Sequence, residues 1–368
     1  MTGTPILRLG EAATAPETPQ ATRMPDLLLA AEPGWLRPGG PFPARGLLLR
    51  LRATDEDEAT LEDACRTLAE GGLLDLEVVL PEGTDCGSTL DALALRLARM
   101  GLFPRHVAAL PEAQLHGRPG GGPSLQACAE AVAAAFPEAR VGIGALTNFA
   151  GDRVPSAEAP GHYVTLGASA VGPGAGEAAV LEALEVLPQV FADARSAAGA
   201  RALRLGLVSI GLRPPPGDRA NGIDPRQKGL IAAAYAVAAC AAAAGAGAEA
   251  VALAAPAGPF GLVGSDGEAR PLFHALASLH AALDRVVEVD PVPGLRGLAW
   301  DEGAVLANAT LAPVALVPPF AIGAILGVAE MEAARDPLWA ARATKPLPEE
   351  VVLGSCEVLL AGAPPQSL

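Results

Sequence analysis

Side chains able to do hydrolytic chemistry cluster just after a series of short apolar runs. Glu32 and Trp35 follow the first run, Glu82 and Asp85 the third, and Glu112 and His116 the fourth. Thr147, Asn148, Asp152 and Arg153 follow the fifth, and Ser169 the sixth. Ser209 and Arg213 come with the seventh, ahead of Asp218, Arg219 and Asn221. Acids beside arginines suit reactions in which water loses a proton while a developing oxyanion is held. Arginine also grips a planar carboxylate through two parallel bonds.

These residues need a scaffold that gathers them from distant parts of the chain. The runs are 26–31, 46–52, 75–80, 105–110, 140–146, 162–168, 203–211 and 248–255. Such continuous apolar stretches suit strands buried on both faces, the mark of a parallel sheet. Helical patterns separate most of them: 55–71, 88–100, 125–135, 177–198, a segment capped by Asp224 with Pro225 first, and 270–287. Residues 32–45 and 147–161 are too rich in Pro and Gly for helix and are expected to cross as loops. Eight strands in a repeated strand–helix alternation predict an α/β fold of the (β/α)8 TIM-barrel type, whose site lies at the C-terminal ends of the strands. That rule selects Glu32, Trp35, Glu112, Asn148, Arg153, Ser209 and Arg213 as candidate substrate contacts.

Residues 1–24 are predicted to be a flexible lead-in and 25–290 the barrel. From about Pro291 short apolar runs at 295–300, 304–308, 314–317, 322–329 and 351–360 predict a small antiparallel β domain over 291–368. Some polar residues have plainer expectations. Glu82 and Asp85 suit helix capping or solvent, and His106 a satisfied core position. His274 and His280 should be structural, which leaves His116 as the histidine nearest the mouth. The loop Gly117–Gly122 lacks the Lys-Ser/Thr of a phosphate loop and reads as a flexible cover.

Bulk composition narrows the function classes. The formal net charge is −15, from 41 acidic and 26 basic residues. That excess repels phosphate backbones, and no basic stripe interleaved with aromatics offsets it, so nucleic acid is not an expected partner. Five scattered cysteines form no C-x-x-C pair and predict free thiols, without a zinc knuckle. The shortage of histidines disfavours a metal, and no cofactor is expected. Gly229–Ala248 has no charged residue, but its alanines and terminal glycines predict a buried barrel helix rather than a membrane span. The expected setting is soluble and cytoplasmic, with a protein partner or a second copy left open.

A string of motifs carries a resemblance. NGIDPRQK at Asn221–Lys228 runs into GLIAAAYAV, followed by APAGPFGLV at Ala255–Val263 and PLFHALASL at Pro271–Leu279. Upstream lie LEALEVLP at Leu181–Pro188, SIGLR at Ser209–Arg213 and Thr147-Asn148-Phe149. ANAT at Ala307–Thr310 and RDPLW at Arg335–Trp339 close the series, which resembles the D-apionate lactonase family over roughly 140–365. The resemblance implies a sugar-acid lactone hydrolase on a barrel akin to glycoside hydrolases. It implies a glutamate two positions after the Thr-x-Phe motif, where this chain has Gly151 flanked by Asp152 and Arg153. Asp152 is therefore the candidate catalytic base, with Arg153, Asn148 and Arg213 holding substrate. The family's histidines after the sixth strand are replaced by Leu166-Gly167-Ala168-Ser169, and its N-terminal β region is not expected here. Two functions follow: a hydrolase of a carbohydrate lactone, or a non-catalytic relative that binds a sugar acid or supports a partner enzyme.

Overall fold

The computed structural model describes residues 20–37, 42–53, 58–68, 72–115, 122–148, 160–169, 174–214 and 223–362. After a short strand β1 (Gln20–Arg23), the eight apolar runs become β2 (Asp26–Ala31), β3 (Gly46–Arg52), β4 (Leu73–Leu80), β5 (His106–Pro111), β6 (Arg140–Asn148), β7 (Tyr163–Ser169), β8 (Ala202–Ser209) and β9 (Ala250–Ala254). All eight are parallel and close in sequence order into a barrel, β9 pairing back to β2. Alternation within the strands assigns the two faces. Leu47, Leu49 and Leu51 of β3, with Leu74, Leu76 and Val78 of β4, join the main core under the helices. The intervening positions Arg50, Asp75 and Glu77 are buried charges.

The outer helices begin and end where local chemistry directs. They are α1 (Glu58–Thr67), α2 (Cys86–Arg99), the single turn α3 (Glu112–Leu115), α4 (Leu125–Ala135), α5 (Glu177–Ala198), α6 (Leu230–Gly245) and α7 (Pro271–His280). Asp85 accepts a hydrogen bond from the Ser88 amide at 2.8 Å and caps α2, as Ser124 caps α4. Asp224 caps the 3-10 turn Pro225–Lys228 that leads into α6. On the sheet itself, Gly142 of β6 is required by packing, because a Cβ there would lie 2.2 Å from the Tyr163 ring.

The second layer is an antiparallel sheet in the order β1-β10-β11-β12-β17-β14-β15. Its further strands are β10 (Val286–Val289), β11 (Arg296–Trp300), β12 (Gly303–Ala307), β14 (Ile322–Leu326), β15 (Lys345–Pro346) and β17 (Val358–Gly362). β13 (Val314–Leu316) and β16 (Val351–Leu353) pair beside it. Helix α6 runs between barrel and sheet, touching β8 and β9 on one side and β11 and β12 on the other. Every residue from Leu230 to Ala244 is therefore buried, and an all-round apolar helix finds apolar neighbours on both sides. Among the described residues no helix is long and apolar enough to cross a membrane.

Three expectations are corrected. The helix expected over 270–287 ends at His280, since Val286–Val289 pairs with β1 and β11 instead. The sheet consequently starts before 291. It also recruits residues 20–23 from the expected lead-in, whose Ala21 and Thr22 face Glu288 and Val287 across the ladder. The single strand expected over 351–360 is two strands, broken by a turn in which Cys356 adopts φ 61°.

Candidate active site

At the C-terminal end of the barrel, strand pairing and loop closure bring four buried charges together. The β3–β4 register sets Arg50 directly beside Glu77. Arg50 donates from Nε to Glu77 Oε2 at 2.8 Å and from Nη2 to the Leu146 carbonyl at 2.5 Å, with Nη2 also in ion-pair contact with Oε2. Arg213, just beyond β8, donates from Nη1 to the same Glu77 oxygen at 2.8 Å. Its Nε reaches Glu32 Oε1 at 2.6 Å, and its Nη2 reaches the Ala31 carbonyl at 3.2 Å. Glu32, the residue after β2, also lies 3.9 Å from Arg50 Nη1. Two guanidiniums and two carboxylates thus balance in charge where isolated ions would be costly.

The cluster is not saturated. Among the described residues, Arg50 Nη1 and Glu77 Oε1 are buried without a hydrogen-bond partner. Burial, reinforced by repulsion from Arg213, pulls the Arg50 guanidinium below its ordinary pKa, against the opposing pull of Glu77 and Glu32. Gly206 faces Glu77 across the barrel, where a Cβ would come 3.0 Å from Oε1. A cavity of about 10 Å³ lies beside Glu77, Asp75, Tyr163, Thr165 and Arg204. That is close to the space one water needs.

An aromatic wall flanks the charges. Trp35 stacks near the Arg213 guanidinium, 5.7 Å from its ring centre, and tilts against Phe260 at 5.3 Å. Gly258 makes room for it, since a Cβ there would lie 2.8 Å from the indole. Nearer the rim, Arg52 holds Glu112 through Nε and Nη2 at 3.2 and 2.9 Å.

Of the residues expected at the mouth, Glu32, Trp35 and Arg213 come together, and Glu112 stands nearby on Arg52. Ser209 is buried and donates to the Gly211 carbonyl at 2.8 Å, shaping the loop that delivers Arg213. Asn148 ends β6 opposite Gly167, but its side chain, with Asp152, Arg153 and His116, lies outside the described residues. Asp85 and Asp224 are caps, and His106 is a core histidine bonded to Asp75 at 2.8 Å. Arg50, Arg52 and Glu77 lie inside apolar strands, where the rule that looks just past the strand ends does not reach. The sequence carries their signal, since charges spaced by two in a strand buried on both faces must point into the barrel. Among the described residues no three His, Cys, Asp or Glu side chains converge as metal ligands.

The fold and this cluster define a (β/α)8-barrel protein with a polar site at its C-terminal mouth. Residues 41–284 match the D-apionate lactonase TIM barrel domain, and the chain belongs to that family. It is 30% identical over 230 residues to a D-apionate lactonase of Brucella anthropi, a match covering 55% of this chain and 37% of the relative. Among solved structures it is similar to a thermostable mutant of a xylanase from Cellvibrio japonicus. That similarity has a TM-score of 0.44 and 10% identity, and covers 70% of this chain and 98% of the other. It is also similar to CelM2, a bifunctional glucanase-xylanase from a metagenome library. Here the TM-score is 0.45 and the identity 9%, over 76% of this chain and 70% of the other.

Proposed function

We propose that this chain hydrolyses a sugar-acid lactone at the C-terminal mouth of its barrel. The observation that carries the reading is the Glu32–Arg213–Glu77–Arg50 cluster, which joins carboxylates and guanidiniums at the catalytic end of a family barrel. Water adds to the lactone carbonyl while a carboxylate takes its proton. The tetrahedral oxyanion collapses, the ring C–O bond breaks, and the departing oxygen takes up a proton to leave the open hydroxy acid. Glu32 suits the role of base, because it is the more exposed of the two cluster acids and is bonded through Oε1 alone among the described residues. Arg213 and Arg50 would steady the oxyanion, and Trp35 would cover the sugar ring. Asp152 is the competing base on the sequence reading. The five free cysteines suit a reducing, cytoplasmic setting.

Turnover of the lactone of D-apionic acid and a panel of aldonolactones by purified chain tests this reading. Glu32→Gln is expected to lower kcat about 100-fold or more, the usual scale for loss of a general base. Loss with Asp152→Ala and retention with Glu32→Gln would move the role to Asp152. A second reading rests on Gly151, which stands where the family resemblance implies a glutamate. Sugar acids that raise the melting temperature without any lactone turnover would establish a binding protein instead.

A further inference from the structure

The opposite end of the barrel holds a second cavity, of about 750 Å³, formed where the strands begin. That volume lies within the range of small-molecule sites. Arg23, Arg45, Arg105, Arg140 and Arg204 line it, against Asp26, Glu138 and Glu249. Five guanidiniums at one mouth are unusual in a chain of net charge −15.

Their pairing is uneven. Arg45 is taken up by Asp26 and Asp284. Arg140 and Arg204 converge on one oxygen of Glu249, at 2.8 and 3.5 Å. Arg105 has no side-chain partner among the described residues, although it stands beside that pair. Two lining side chains are themselves more than nine-tenths buried and incompletely satisfied. Arg204 reaches Asp75 at 2.5 Å and His106 bonds Asp75 through Nδ1, while among the described residues Arg204 Nε and His106 Nε2 have no partner. Another part of the wall is apolar, built from Leu73, Pro104 and Phe103, a residue that is 72% exposed.

We propose that this N-terminal mouth binds a small organic oxyanion, its charged end held by Arg105, Arg140 and Arg204 and its body laid against Phe103. Guanidinium forks match carboxylate or phosphate oxygens, and an exposed ring beside them favours a ligand with a flat carbon face over a bare ion. The site is separate from the Glu32–Arg213 cluster and does not depend on what reaction occurs there.

The test is calorimetric titration of the full chain with phthalate and, separately, inorganic phosphate at low ionic strength. Phthalate is expected to bind, and Arg105→Glu to weaken it about tenfold or more, the scale of one lost charge-assisted bond. Phe103→Ser should weaken phthalate and leave phosphate unchanged. An unchanged thermal transition in both variants shows that the fold is retained, as both residues are exposed. Absence of phthalate binding, or equal binding by Arg105→Glu, would overturn the proposal. Phosphate binding as tight as phthalate would overturn its organic part.

Discussion

Glu77 accepts bonds from two arginines at once, and this makes it the residue on which the cluster depends most. Removing its carboxylate would leave Arg50 and Arg213 facing each other with only Glu32 between them. Glu77→Leu is therefore expected to cost about 3–5 kcal/mol in a urea titration, the scale of breaking a buried ion pair from one side. Arg66→Ala, which removes only exposed helix pairs to Glu62 and Asp63, should leave the midpoint unchanged. Gly206 gives a finer test of the same carboxylate. Gly206→Ala puts a methyl 3.0 Å from Glu77 Oε1 and should lower lactone turnover more than it lowers stability. Equal losses in both would mean that Gly206 serves packing alone. At this scale the sequence was half legible. Glu32 and Arg213 could be placed at strand ends by the barrel rule, but their bond spans 181 positions and no local pattern announces it.

Individual elements were easier to read where one physical cause dominates. The eight strands followed from continuous apolar runs, and α4 and α5 from periodicity that ends just before Pro137 and at Gly199. The end of α7 was not legible, because the residues after His280 keep a plausible helical pattern until Val286 pairs with a strand more than 250 positions earlier. Pairing of that kind is decided by tertiary contact, which overrides local propensity. Helix α6 shows the opposite case, in which composition encodes a tertiary fact. Its alanines allow the barrel and the sheet to close on it from two sides. Ala239→Leu, at a fully buried position, is expected to destabilise by about 1–3 kcal/mol through overpacking, read as a lower urea midpoint. The same change at Ala98, on the outer part of α2, should have little effect.

Across the whole molecule, the barrel and the antiparallel sheet meet along α6 and again at α7, where histidine chemistry makes the junction sensitive to acid. His274 is fully buried on α7, its Nε2–H donating to the Ala334 carbonyl at 2.7 Å and its ring edge-on to Trp339 at 4.9 Å. Burial pushes its pKa below the ordinary value, outweighing the Ala334 bond and the attraction of Asp336. His280, one helical turn and a half further on, is lowered too, by burial and by Arg45. A histidine whose folded pKa is depressed binds its proton more readily when the chain unfolds. Stability from these two groups is thus fully present above the unfolded pKa, about 6.5, and drains away as the pH falls below it. Urea midpoints should drop between pH 7.5 and pH 5.0, and His274→Gln should flatten that slope while lowering the value at pH 7.5, since the substitute cannot reproduce the ring packing on Trp339. A slope unchanged by His274→Gln would place the acid sensitivity elsewhere, with His280→Gln the next variant to separate the junction from the barrel's own charges.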